Sequence, residues 1–309
     1  TSTITAAATS NSPVVITAIT DNAGTITGPI ADGGSTNDTT PTLTGTIAAA
    51  LATGSTVRVY RNHVYAGNAT VIGTAWSYTP ATALPSGTYS FKAAIFTSAG
   101  MASSFSDPRS IVLDATAPIQ TVTIASVSDN TDPIQGIVPA GGRTNDTTPT
   151  LSGNLSAPLG EGESLKLYNG TTLLIDAVVD NTTLTWTATP TLITDGSITI
   201  TARVVDRAGN QGPLSASRVL ILDTTAPVQT VAITAISDNA GTITGPIADG
   251  AVTNDTTPSL SGTLSGALAT ADVVRVYSNG VLSGNAAVKG TTWSYTPAPA
   301  PVSYTHLTL

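Results

Sequence analysis

Ser197-Ile-Thr-Ile-Thr-Ala-Arg-Val-Val205 alternates apolar and polar residues along its whole length. In an extended chain Ile198, Ile200, Ala202 and Val204 fall on one side, and Thr199, Thr201 and Arg203 on the other. That period of two marks a strand whose sheet has one buried and one wetted face. Outward from this stretch, 120–127, 149–155, 164–168, 173–179, 184–188 and 217–222 carry the same alternation. Together they predict seven short strands. The turns between them have matching chemistry: Asn169-Gly170 and Asn279-Gly280 stand where a tight hairpin must reverse, and Asp195-Gly196 precedes the sixth strand. Thr, Val and Ile dominate and Gly and Pro interrupt the chain at short intervals, so no segment reads as a helix.

The pattern recurs. Thr-Asn-Asp-Thr-Thr-Pro occurs at 36–41, 144–149 and 253–258, so Asn37, Asn145 and Asn254 are 108 and 109 residues apart. Tyr60, Tyr168 and Tyr277 keep that spacing, as do Asp21, Asp129 and Asp238, and Asp114 with Asp223. The alternation of 197–205 has its counterpart in Tyr89, Phe91, Ala93 and Ile95. A unit of this size can bury a core on its own. Seven strands per unit predict an all-β chain of tandem immunoglobulin-like β-sandwich domains arranged end to end. The divisions expected are 1–12, the end of a preceding repeat; 13–117, repeat 1; 118–226, repeat 2; 227–301, a truncated repeat 3; and 302–309, a non-native tail that resembles the in-frame translation of a sequencing adapter. A unit repeated in series suits a spacer, a stalk or a multivalent binder better than a single-site enzyme.

Composition narrows the choice. Charged residues make up 10%, the net charge is −8 and the pI is about 4.4, which gives no electrostatic affinity for nucleic acid or anionic lipid. There is no cysteine to staple the units. No apolar run reaches the roughly 18 residues of a membrane span, and 1–12 lacks the regions of a signal peptide. Nucleophilic catalysis has no support either. Beyond the tail, His63 is the one histidine, and phosphate-loop and zinc spacings are missing. Trp76, Trp186 and Trp293 read as core or edge aromatics rather than ligand platforms.

The acidic residues cluster at Asp21, Asp38, Asp129, Asp146, Asp238 and Asp255, at the linker positions Asp114 and Asp223, and in the turn Asp206-Arg-Ala-Gly-Asn210. Hard cations need six to eight oxygen ligands, which short side chains on turns supply well. Ca²⁺ is therefore the expected structural ion, with Asp21, Asp38, Asp114, Asp129, Asp146, Asp206, Asn210 and Asp223 as candidate ligands. Asp206 and Asn210 are expected to approach Asp114 where repeat 1 meets repeat 2. The alternative is that these side chains cap turns by accepting from backbone N–H groups, with no metal. Repeat 1 departs from the pattern, with Thr97-Ser-Ala-Gly-Met101 in place of Asp-Arg-Ala-Gly-Asn.

The ordered motifs Thr-Asn-Asp-Thr-Thr-Pro-x-Leu-x-Gly, Val-Arg-Val-Tyr, Trp-Ser-Tyr-Thr-Pro, Gly-Thr-Tyr-Ser-Phe, Asp-Arg-Ala-Gly-Asn and Leu-Asp-Thr-Thr-Ala-Pro, over residues 1–301, resemble the bacterial Ig-like repeats of giant secreted adhesins of the biofilm-associated and RTX type. The resemblance implies further copies in the parent protein, type I secretion, retention at the bacterial cell surface, and calcium where repeats meet. Partners would be the neighbouring repeats, with surface ligands held by other domains, and neither nucleic acid nor membrane insertion is expected. The competing readings are a carbohydrate- or ice-binding module and an accessory array of an extracellular enzyme.

Overall fold

In the computed structural model the segment quoted above lies inside one ten-residue strand, Gly196–Val205, whose Ile198, Ile200, Ala202 and Val204 are all buried. The structure describes residues 13–242 and 244–298; the readings of 1–12 and 302–309 lie outside them. The chain divides into two compact units, Thr1–Thr224 and Thr225–Leu309. Repeats 1 and 2 make up the first.

Repeat 1 contains β1 (Val14–Asp21), β2 (Gly28–Ile30), β3 (Gly34–Thr36), β4 (Thr42–Ile47), β5 (Thr56–Arg61), β6 (Val64–Asn68), β7 (Thr70–Ile72), β8 (Ala75–Tyr78), β9 (Gly87–Phe96) and β10 (Arg109–Leu113). They form two five-stranded sheets, ordered β2-β1-β4-β8-β7 and β3-β10-β9-β5-β6. Every pairing is antiparallel except β3 with β10, which is parallel. Repeat 2 has the same ten strands in the same orders. In each repeat the core is filled from both sheets, in repeat 1 by Val14, Ile19, Leu43, Val57, Phe91 and Ile111 among others.

Ten strands stand where seven are predicted, for two reasons. Alternation over 173–179 reads as one strand, but Thr172–Asp176 pairs with Ser164–Asn169 in one sheet, and Val178–Asp180 pairs with Thr185–Ala188 in the other. The chain changes sheet at Ala177, whose N–H donates to Leu165 O. Each piece keeps one face toward the same core, so the period of two runs through the switch. The other two additions, Gly136–Ile137 and Arg143–Thr144, are too short to show any period.

Each tryptophan covers a glycine on the strand beside it. Trp76, Trp186 and Trp293 are at most 3% exposed, and pair across the ladder with Gly45, Gly153 and Gly262. A Cβ at Gly153 would lie 1.8 Å from Thr123 O and 2.8 Å from the Trp186 ring, and Gly45 and Gly262 are as tightly enclosed. Trp186 Nε1 donates to the same Thr123 carbonyl at 3.2 Å. Only a residue without Cβ lets the indole lie flat on the backbone here.

Repeat 3 has the first sheet, built on Val231–Asp238, Ser259–Leu264 and Thr292–Tyr295, but its second sheet is only the hairpin of Arg275–Ser278 and Val281–Asn285. Among the described residues nothing corresponds to β9 and β10. The consequence is visible in the inner face. Val231 and Ile233 are 54% and 61% exposed, against 0% and 5% for Val14 and Ile16 at the same positions of repeat 1.

Candidate functional site

The repeated hexapeptide builds a closed hydrogen-bond network. Thr36, its first residue, ends β3 and is fully buried. Its hydroxyl donates to Asp21 Oδ2 at 2.6 Å and accepts from Asp38 N at 3.0 Å. Asp21 Oδ1 accepts from Ala23 N, Asp38 Oδ2 from Asn22 N, and Asp38 Oδ1 from Thr40 N. Thus all four carboxylate oxygens of the pair have donors, and two buried carboxylates are satisfied within one repeat. Repeats 2 and 3 reproduce the set with Asp129, Thr144 and Asp146 and with Asp238, Thr253 and Asp255. These contacts tie the end of the first strand to the loop before the fourth, and are those of the turn-capping alternative. In repeat 3 the N–H of Asn239, then that of Thr257, holds the Asp255 carboxyl below its ordinary value of 3.8. With the folded pKa depressed, the stability this group contributes is present above 3.8 and is lost as pH falls through the lower folded value.

The threonine hydroxyl that joins the two carboxylates is the participant that acidity alone does not reveal. The one signal for it is that Thr36, Thr144 and Thr253 belong to the repeated motif. Asp146→Ala is expected to destabilise repeat 2 by about 2–3 kcal/mol, because the N–H groups of Asn130 and Thr148 lose their acceptor in a half-buried turn. Urea denaturation followed by amide exchange within Gly196–Val205 measures it. A shift below about 0.5 kcal/mol, the range of an ordinary surface change, would count against the network.

Repeats 1 and 2 meet through a second set. Asp206 Oδ1 accepts from the N–H groups of Ala208 and Asn210, both at 2.9 Å, closing its own turn. Asn210 Nδ2 then donates both to Asp206 Oδ2 and to the backbone carbonyl of Asp114, each at 2.8 Å. Asp114 itself caps the linker, its Oδ1 accepting from Thr116 N. From repeat 1 the loop after Asp21 reaches the same turn: Gln211 Nε2 donates to Thr25 Oγ1 at 3.2 Å, and a Cβ at Gly209 would be only 3.1 Å from Ile26 Cδ1. Thr25, Ile26 and Gln211 were not legible as partners, because nothing in their residue types marks them. Asp223, the counterpart of Asp114, pairs with Arg143 Nη1 at 3.1 Å on the surface.

Among the described residues no three acidic or histidine side chains converge as a metal-binding group. The set that comes nearest to a cation site is at the junction. The Asn210 amide sits between two oxygens, Asp206 Oδ2 and Asp114 O, and the oxygen and nitrogen of an amide exchange places by one rotation. With Oδ1 turned inward, the three oxygens are one carboxylate, one carbonyl and one amide, a hard donor set of the kind calcium takes, though well short of six.

Comparison with known proteins adds the family. A model described as "Bacterial Ig-like domain" matches residues 12–115 and 119–224. No curated protein sequence matches the chain. Among solved structures, the C-terminal domain of the antigen I/II-family protein AspA of Streptococcus pyogenes overlaps with a TM-score of 0.24 at 8% identity, covering 68% of this chain and 99% of that one. The N-terminal Ig1-2 module of the Drosophila receptor protein tyrosine phosphatase DLAR gives 0.20 at 9% identity, with the same coverages of 68% and 99%. Scores this low carry no argument. The family match does, since its two segments span more than half of the chain and coincide with two complete sandwiches: the chain belongs to the bacterial Ig-like domain family.

Proposed function

We propose that this chain is a stalk segment of a bacterial cell-surface adhesin, a non-catalytic array that extends a distal binding region and supports adhesion or biofilm formation. Bacterial Ig-like domains are usually extracellular or surface-exposed structural modules, and no described helix is long and apolar enough to cross a membrane. The observation that carries the proposal is the junction of repeats 1 and 2. There Asn210 grips the linker backbone at Asp114 while Thr25 and Ile26 of repeat 1 contact Gln211 and Gly209 of repeat 2. Two domains joined by contacts on both sides of the linker transmit direction from one to the next, as a stalk requires. The binding-array alternative needs a repeated exposed aromatic or a flat Thr-x-Thr array; the three repeated tryptophans are buried, and Thr199 and Thr201 give way to Ser90 and Lys92 at the same positions of repeat 1.

Calcium is part of the proposal at this junction only. Asp206 Oδ2, Asp114 O and a rotated Asn210 Oδ1 would hold it, with water completing the shell, and the affinity would fall in the range of about 10⁻⁴ to 10⁻³ M typical of extracellular modules. Small-angle scattering on residues 1–226 tests both levels. The expected result is a longer, stiffer particle in millimolar Ca²⁺ than in chelator, and loss of that difference in Asp206→Ala. Identical profiles of one extended, rigid pair with and without calcium would remove the ion and leave the stalk. Profiles of two freely reorienting repeats in both conditions would overturn the stalk itself.

A further inference from the structure

Aromatic residues are scarce in this chain, at 5%, yet repeat 1 gathers four of them on the outer face of β3-β10-β9-β5-β6. Tyr60 is the hub, its ring 5.9 Å from Tyr65, 6.1 Å from Phe96 and 5.2 Å from Phe105. Tyr60 and Phe105 stand at 84° and form an apolar corner. A cleft of about 240 Å³ opens there, completed by His63, Ser90 and Lys92. Repeat 2 has Leu214, Thr199 and Thr201 in place of Phe105, Ser90 and Lys92, and the cations of its corresponding cleft, Lys166 and Arg203, are engaged by Asp176 and Gln211, so the aromatic corner and Lys92 belong to repeat 1.

His63 occupies a position that resists it. Asn62 and His63 form a two-residue hairpin turn with φ of 48° and 70°, between the paired residues Arg61 and Val64. Repeat 3 makes the same turn with Asn279 and Gly280, at 52° and 78°. Glycine is the residue such a turn favours, and an imidazole there is strained. Strain retained where a simpler residue serves points to a use for the side chain.

The cleft's polar groups are donors. Tyr60, His63, Ser90 and Lys92 can all donate, and no carboxylate or amide side chain lines it. Lys92 is in none of the ion pairs among the described residues, although acidic residues outnumber basic ones by 19 to 11. A site of this kind selects a ligand rich in acceptors and negatively charged. The strands beneath it, β5 and β9, are each paired on both sides, so a peptide cannot join by adding a strand. A ring packed into an aromatic corner can.

We propose that this cleft of repeat 1 binds an acidic sugar, with the pyranose ring against Tyr60 and Phe105 and the carboxylate met by Lys92 and His63. The repeat would then grip an anionic polysaccharide along the stalk, a function separate from extension. Calorimetric titration of the full chain with trigalacturonate and with its methyl ester, both in chelator, tests it. The acid is expected to bind about tenfold or more tightly than the ester. His63→Gly and Lys92→Ala should each weaken binding about tenfold, while His63→Gly raises the thermal midpoint through relief of the turn, which separates lost binding from lost folding. Equal affinity for acid and ester, absence of binding at millimolar concentration, or an unchanged affinity in His63→Gly would overturn the proposal. A short poly-glutamate peptide that bound as tightly as trigalacturonate would transfer the site to acidic peptides and likewise overturn it.

Discussion

Gly153→Ala is expected to unfold repeat 2 and leave repeat 1 native. The added methyl would stand 1.8 Å from Thr123 O, and that carbonyl belongs to a strand whose pairing with Thr150–Leu155 fixes its distance. The methyl cannot be accommodated by moving a side chain, because the tightest contact is backbone. Trp186 closes the other side, and displacing it would open the centre of the core. Overpacking combined with a disrupted ladder costs about 4 kcal/mol or more, comparable with the whole stability of a small domain. Hydrogen exchange resolved by repeat gives the readout: exchange in Gly196–Val205 should become fast while Gly87–Phe96 stays protected. Replacing Trp186 as well should not restore protection, since the carbonyl contact remains. Native protection in the single variant would mean that the strands can separate locally at no great cost.

The second large effect concerns repeat 3. Residues 227–309 expressed alone should be unfolded or aggregated, whereas 118–226 should fold as a cooperative monomer. Among the described residues sixteen form the buried cluster of repeat 2, and three that of repeat 3: Leu264, Val274 and Trp293. Val231, Ile233 and Ile236 face outward-open space on the sheet that β9 and β10 cover in repeat 1. An exposed apolar sheet face is a site of association. Chemical denaturation followed by Trp186 fluorescence in one fragment and Trp293 fluorescence in the other makes the comparison. A cooperative transition in 227–309 would show that the single sheet and its hairpin suffice.

The strands were legible because a half-buried sheet writes its burial directly into the sequence, as at Ile198, Ile200, Ala202 and Val204. A change of sheet is not written there, since Ile175, Ala177 and Val179 alternate toward one core whichever ladder they join. The repeated acids were legible as a set, but their use was not. An aspartate that caps a turn and one that ligates a cation are the same short carboxylate on the same loop, and what separates them is whether donors already fill their oxygens. For Asp38 the deciding groups are the N–H of Asn22, sixteen residues away, and of Thr40. Trp76 was recognisable as an interior residue; its glycine partner was not, because the contact of Gly45 with it depends on register. His63 was visible only as the one histidine outside the tail; its φ and its place beside Tyr60 and Phe105 come from the fold.

The parallel pairing of β3 with β10 has a mechanical consequence. The linker leaves each repeat from the end of its last strand, so tension along the chain pulls β10 lengthwise. Its neighbours on both sides, β9 and β3, hold it through rungs at Ile111, Val112 and Leu113, with Asp114 N bonded to Thr36 O and Gly33 N to Ser110 O at either end. Bonds set across the direction of pull are loaded together rather than one after another, so the repeat yields only when the whole row breaks at once. A strand peeled from its tip would give way bond by bond. The short segment Gly34–Thr36, which also holds the threonine of the acidic network, therefore makes the last strand a rope clamped along its length.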